Sequence, residues 1–316
     1  MVLICLVVSG HLLECTSGDI AHYLYISTYL FHMPLFVFCT GYFSRFSARR
    51  ILTSLVWPYL VFQLLYLLFT RFVLESEIEF RFTTPYWILW YLLSTAIWHS
   101  LIPLLESCTR INPIIVSLIL FAIGLAVGFD DNVGYFMSLS RTFVFFPFFA
   151  LGRFAVENKS AFREFTDSRR VGIIFVLASV CVLVIAYFIH GGVDQKWLYG
   201  SYSYSAGGYS VLIRAAVYAA GFVICVGFFC VMPNRRFWFT YIGGNSLTIY
   251  LLHGFIVKLA PRLTGLVESS IIRNLLLASV GVAIVFVLSL PSVKRILAPL
   301  FTFPFGSNDK TSTPNS

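Results

Sequence analysis

Charged side chains are scarce in this chain. Asp, Glu, Lys and Arg together make up 11% of its 316 residues, against roughly a quarter in a soluble domain. A water-soluble fold needs polar cover, so this scarcity argues against a cytosolic Rossmann-type enzyme, and the apolar excess argues against intrinsic disorder. The seven cysteines, at positions 5, 15, 39, 108, 181, 225 and 230, form no C-x-x-C pair and mostly interrupt apolar runs. Neither a zinc site nor a disulfide framework is supported, no metal is implied, and the thiols read as small packing residues. A soluble domain and an internal repeat are also missing. What is present is 59% hydrophobic residues, 18% aromatics and 33 Phe, with mean hydropathy +0.85. That composition predicts an all-α, polytopic helical bundle in a lipid bilayer.

A crossing helix needs roughly 20 mainly apolar residues. Segments of that kind lie near 1–14, 25–44, 50–70, 86–105, 112–128, 141–155, 171–189, 210–231, 238–258 and 271–290, about ten in all. The first is too short to cross at about 1.5 Å per residue. No basic n-region precedes it and no small-residue cleavage site follows, so a signal peptide does not account for it. A truncated or misassigned start does. Residues 306–316 are polar and read as a disordered tail.

The net charge of +8 would invite a nucleic-acid partner in a soluble chain. Here the cations sit in short loops and read as orientation signals, with no nucleic acid implied. With a cytoplasmic N-terminus, fourteen of the 22 Lys and Arg fall on the inside, including Arg45, Arg49, Arg50, Arg110, Arg153, Arg235, Arg236 and Lys310. Glu75, Glu77, Glu79, Asp130 and Asp131 fall outside. The positive-inside rule then puts both termini in the cytoplasm of a multi-pass plasma-membrane protein.

Ionisable groups at membrane depth are costly and point to function. His11 and Glu14 are spaced i,i+3 and share a helix face. A carboxylate there can orient an imidazole as a general base, or the pair can be an interfacial His and Glu touching headgroups. His32 precedes Met33-Pro34, where a proline frees a backbone carbonyl, and it can simply bond that irregular backbone. His253 lies in the outer half of its span, and Arg141 and Arg214 open theirs from outside. Trp87, Trp90 and Trp98 can be an aromatic belt or a binding wall. Gly124-x-x-x-Gly128 reads as a helix-packing notch. The Tyr-, Ser- and Gly-rich loop 190–209 suits a sugar ring or a membrane interface. Polar groups thus gather in the outer half and Arg clusters at the cytoplasmic ends. That division suggests a neutral polar ligand outside and an anionic one inside.

Six strings occur in one order: VVSGHLLE (7–14), FHMPLFVFCTGYFSR (31–45), WPYLVF (57–62), WILWYLLS (87–94), SRTFVFFPFFALGRF (140–154) and NSLTIYLLHGFIV (245–257). Together they resemble the membrane-bound acyltransferase family 3, especially its fucose 4-O-acetylase-like branch. The resemblance implies one membrane acyltransferase domain over 1–305. It implies transfer of acetyl from cytoplasmic acetyl-CoA to a sugar hydroxyl of an envelope or exported glycan, the acceptor being a glycan or lipid-linked sugar. The family's catalytic His maps onto His11. A basic residue expected about three turns upstream would fall before Met1. Ser54, His99 and Gly244 stand where basic residues are common.

The expected mechanism follows. Arg49 and Arg50 hold CoA phosphates through guanidinium–phosphate bonds, and the pantetheine arm rises into the bundle. His11 takes the acceptor proton, Glu14 orients it, and Arg141 stabilises the oxyanion. His32, Trp90 and His253 are expected to bind the acceptor. The alternatives are a polysaccharide or lipid-linked sugar exporter and an inactive relative.

Overall fold

The structure, a computed structural model, describes residues 1–16, 18–108, 112–232, 237–264, 270–301 and 303. Among these there is no strand. The main helices are α1 (Val2–Leu13), α2 (Asp19–Phe43), α3 (Ala48–Phe72), α4 (Trp90–Ser100), α5 (Pro113–Ala126) and α6 (Leu139–Glu157). They continue with α7 (Lys159–Asp167), α8 (Arg169–Ile189), α9 (Val211–Val231), α10 (Ser246–Thr264), α11 (Ser270–Leu288) and α12 (Pro291–Phe301). The tail 306–316, Arg110, Arg235, Arg236 and Lys310 lie outside the described residues.

Every apolar segment expected to cross contains helix, but fewer helices have the length to do so. Among the described residues five are long and apolar enough to span a membrane: Asp19–Phe43, Ala48–Phe72, Phe136–Glu157, Arg169–Gly192 and Val211–Val231. A sixth is reached if Ile272–Leu288 and Pro291–Phe301, bent by 69°, count together. Val2–Leu13, Pro113–Phe129 and Ser246–Pro261 are apolar but shorter. The expected ten is not reached because several segments break internally. The 86–105 segment stops at Leu101, just before Pro103, which has no N–H to continue the ladder. The 238–258 segment divides at Gly243-Gly244 into one-turn pieces and α10.

Prolines and glycines set the packing around the site. Pro34 sits inside α2, so the carbonyl of Leu30 has no helical donor. Gly221 of α9 lies on that spot, where an added Cβ would come within 2.9 Å of the Leu30 oxygen. Cys225, one turn on, donates from Sγ to Phe31 O at 3.9 Å; all seven cysteines are free thiols. α2 and α6 meet backbone to backbone. A Cβ at Gly41 would strike the Phe149 carbonyl, and one at Gly152 the Phe38 carbonyl. In α3 a π-helical stretch, Leu52–Val56, absorbs the missing N–H of Pro58.

The glycine pair at 124 and 128 seats side chains and, at Gly124, also a neighbouring helix, since an added Cβ would sit 3.3 Å from the Phe143 carbonyl oxygen of α6. Tyr218 of α9 fills the space over Gly124, and Tyr204 and Arg214 that over Gly128. Arg214, 2% exposed, donates from Nη1 to Gly124 O at 3.2 Å and from Nη2 to Tyr202 O at 2.6 Å. Its guanidinium lies 4.7 Å over the Tyr204 ring. It therefore fastens the 200–209 loop to α5 and α9.

α8 carries Ile173, Ile174, Leu177, Val184 and Ile185 exposed. Such a face suits hydrocarbon, and together with the five apolar helices long enough to cross it marks a membrane protein. α7 is short and charged, with Arg163 and Asp167 paired on its surface. The helices place Glu14, 73–86, 130–138 and 190–210 at one end of the bundle, here called the upper end. The lower end holds 44–47, 101–107 and 157–168.

Candidate active site

The last turn of α1 ends in the i,i+3 pair His11 and Glu14. His11 Nδ1 lies 3.1 Å from Glu14 Oε1. α2 adds a third group. The Tyr29 hydroxyl lies 2.8 Å from the same Nδ1 and donates to Glu14 Oε1. A carboxylate only accepts, so Nδ1 carries the proton and faces both oxygens. Nε2 then has the lone pair, and among the described residues it has no hydrogen-bond partner. Trp87 meets the imidazole edge-on at 4.8 Å, and His253 stacks on it at 5.5 Å with planes 26° apart.

These groups open on an upper-end cavity of about 230 Å³. Of the residues expected from sequence, His11, Glu14, His32, Trp90 and Arg141 line it together, with Tyr29, Trp87, Tyr135 and Tyr199 beside them. His32 Nδ1 lies 2.8 Å from Thr28 O, one turn back, which satisfies one nitrogen locally. Arg141 donates from Nε to Tyr199 O at 3.2 Å and from Nη2 to Ser201 Oγ at 3.3 Å. Its guanidinium lies 5.1 Å from the centre of the Trp90 ring and 5.5 Å from that of Tyr135. It is thus held by aromatic faces and loop oxygens rather than by a carboxylate. His253 stands behind His11 and does not line the cavity. Its Nδ1 lies 3.1 Å from Ile249 O, and its buried Nε2 has no hydrogen-bond partner among the described residues.

The Tyr-rich loop forms the cavity's outer wall. Tyr25 OH donates to Tyr199 OH at 2.8 Å, and Ser140 Oγ to Gly200 O at 2.8 Å. Ser205 donates to Asp131 on the neighbouring loop. Hydrogen bonds from Ser203 and Ser205 hold the Asp131 carboxyl below its usual range.

Arg49 and Arg50 are exposed at the lower end, remote from His11. Near them is a second cavity of about 340 Å³, lined by Thr40, Ser54, Tyr91, Thr95, His99 and Tyr250 among others. Phe36 and Tyr250 contact Tyr91 at 5.3 and 5.6 Å between ring centres, and Tyr91 bonds Thr40. These rings partition the lower cavity from the upper one, whose floor includes Met33 and Ile88. Arg153, 8% exposed, donates to Ser44 O at 2.9 Å, Glu106 at 3.0 Å and Glu157 at 3.3 Å, so it ties lower-end helices together.

A basic, oriented imidazole facing a cavity suits proton removal from a hydroxyl, and the sequence comparison names the reaction. The profile of an acyltransferase domain matches residues 1–294. The chain belongs to that acyltransferase family. No curated protein and no solved structure matches it. It is therefore a membrane acyltransferase, with the His11 cluster at the upper end of its bundle.

Three participants escaped the sequence reading. Tyr29 is one of 17 tyrosines, and its only local signal is the i,i+3 spacing to His32 on α2. Lys258 lies 4.3 Å from the Trp87 ring centre, a contact made by α10 across more than 170 residues. Tyr91 reads as one more aromatic until its partners are placed.

Proposed function

We propose that this acyltransferase moves an acetyl group from cytoplasmic acetyl-CoA to a sugar hydroxyl of a cell-envelope or exported glycan. The observation that carries this reading is the His11 imidazole. Its Nδ1 is committed to Glu14 and Tyr29, and it shares one cavity with Arg141 and the tryptophans. Aromatic faces with polar rims suit a pyranose ring, whose C–H face stacks while its hydroxyls bond. The similarity of the six strings to fucose 4-O-acetylase-like proteins favours a sugar acceptor.

In this reading all ten apolar segments cross or enter the bilayer of the plasma membrane, both termini are cytoplasmic, and the upper end faces outward. Arg49 and Arg50 hold the CoA phosphates. The pantetheine arm enters the lower cavity, where Ser54, Thr95 and His99 offer hydrogen bonds, and carries the thioester up to the aromatic partition, whose rings move aside to admit the acetyl group to the upper cavity. The acceptor lies in the upper cavity against Trp90 and His32. His11 Nε2 takes the hydroxyl proton as the oxygen attacks the acetyl carbonyl. Arg141 supplies positive charge to the resulting oxyanion. The C–S bond then breaks, and the imidazolium returns its proton to the departing CoA thiolate. His253 supports the His11 ring from behind. The chemistry uses no metal.

The test is incubation of membranes holding the protein with acetyl-labelled acetyl-CoA. Alkali-labile label in the glycan fraction, lost in His11→Gln, is the expected result. Label confined to free acetate or to lipid would overturn the assignment of a sugar acceptor.

A further inference from the structure

The expected orienting group for His11 is Glu14, its helical neighbour. The geometry gives a phenol the shorter contact. Tyr29 Oη is 2.8 Å from Nδ1, whereas Glu14 Oε1 is 3.1 Å away. We propose that Tyr29 is a positioning residue: its hydroxyl lies between His11 and Glu14 and, as one unit with Glu14, keeps the imidazole in the tautomer whose Nε2 faces the cavity. This inference rests on the reading of His11 as general base.

The hydrogen count fixes the direction of each bond. A phenol has one proton and two lone pairs. Glu14 accepts the proton, so a lone pair remains for the His11 Nδ1–H. The imidazole proton is thereby shared between two oxygens that are themselves bonded to each other. Glu14 alone is a weak anchor, because its side chain is 25% exposed and can turn to water. Tyr29 is 8% exposed and cannot. Its ring stacks on Tyr25 at 4.0 Å and meets His32 edge-on at 4.5 Å. The residue beside His11 makes room for it, since a Cβ at Gly10 would sit 3.3 Å from Thr28 Cγ2 and 3.4 Å from the Tyr29 ring. The chain thus presses α2 against the end of α1 where the phenol is needed.

A rigid hydroxyl at Nδ1 also opposes ring rotation. Turning the imidazole by half a revolution would place a carbon where Nδ1 stands and leave both the phenol oxygen and the carboxylate without the imidazole donor. In a low-dielectric site that loss is costly. Tyr29 thereby selects rotamer and tautomer together, acting through His11 from the wall of the cavity.

The experiment compares Tyr29→Phe, Glu14→Gln and the double variant, purified in lipid nanodiscs with histidine labelled by ¹⁵N. Tyr29→Phe keeps the ring and its stacking, so folding is checked by monodispersity and thermal midpoint. In the parent, His11 is expected to show one protonated Nδ1 and one unprotonated Nε2, assigned by the signals lost in His11→Gln. Tyr29→Phe is expected to give mixed tautomers and to lower kcat by roughly ten- to hundred-fold, by analogy with the loss of a hydrogen-bond partner that orients a metal-bound imidazole, with KM for acetyl-CoA unchanged. The double variant should be no slower than the slower single one, because the two side chains act together. A single Nδ1-protonated tautomer retained in Tyr29→Phe, or effects of the two substitutions that multiply independently, would overturn the proposal. The tautomer readout needs no acceptor, so failure of the parent to acetylate any glycan would overturn the proposed acceptor and leave this inference to be decided by the spectrum.

Discussion

At the scale of the residue, the site depends on where one lone pair points. His11 Nδ1 is occupied by Glu14 and Tyr29, so Nε2 is the nitrogen available to a substrate proton. His11→Gln keeps volume and some hydrogen bonding but cannot accept a proton at neutral pH. It should lower acyl transfer by about 10²–10⁴-fold with normal membrane insertion, measured as product formed per inserted molecule. His32→Gln should be milder, since His32 already spends Nδ1 on the Thr28 carbonyl. If His32→Gln is the more damaging, the base has been misassigned. Arg49→Ala with Arg50→Ala should weaken acetyl-CoA binding, each lost charge-assisted bond costing about 1.5–3 kcal/mol; equilibrium binding to inserted protein checks this. The His11–Glu14 pair was legible in the sequence because i,i+3 spacing alone puts both on one face. Tyr29 and Lys258 were not, because each reaches the site only through packing between helices, Tyr29 from the adjacent α2 and Lys258 from α10, far along the chain.

At the scale of the element, close helix contacts carry the site. Gly41 and Gly152 let α2 and α6 touch through their backbones, and α2 brings Tyr29 and His32 while α6 brings Arg141. An alanine in a helix is ordinarily favoured over glycine by about 1 kcal/mol. At position 152 the added methyl meets the Phe38 carbonyl, which cannot rotate away, and overpacking of this kind costs about 1–3 kcal/mol. Gly152→Ala should therefore lower the thermal midpoint in detergent, whereas alanine at Gly192, with nothing within 4 Å, should leave it nearly unchanged. The loop wall makes a pH prediction. Asp131 has a depressed folded pKa, so its contribution is complete above the ordinary carboxylate range and is lost as pH falls through the lower folded value. Protection of the 203–206 amides, as exchange relative to the intrinsic rate at each pH, should stay constant from neutrality down to about pH 5 and fall only below about pH 4. Asp131→Asn should show no such acid transition. Helix positions were readable from apolar runs, but their breaks were not all readable. Pro103 and Gly243-Gly244 sit inside runs that composition alone makes continuous.

At the scale of the whole molecule, the two cavities lie at opposite ends with Phe36, Tyr91 and Tyr250 between them. Charge scarcity and hydropathy were enough to read a membrane bundle, and the order of the six strings was enough to read an acyltransferase. The partition was not legible, because three rings from α2, α4 and α10 make it. The orientation predicts that a reporter fused after Asn158 is cytoplasmic and one near Asp131 is extracytoplasmic; opposite accessibility at both positions would reverse the assigned faces. The central claim is that acetyl crosses from a donor at the lower end to an acceptor deprotonated at the upper end. Its most direct test uses sealed proteoliposomes with the lower end facing inward, labelled acetyl-CoA trapped inside and a membrane-impermeant glycan outside. Acetylated glycan should appear outside with the parent protein and not with His11→Gln. Product formed only when donor and glycan share one compartment, or equal transfer by both proteins, would contradict the account.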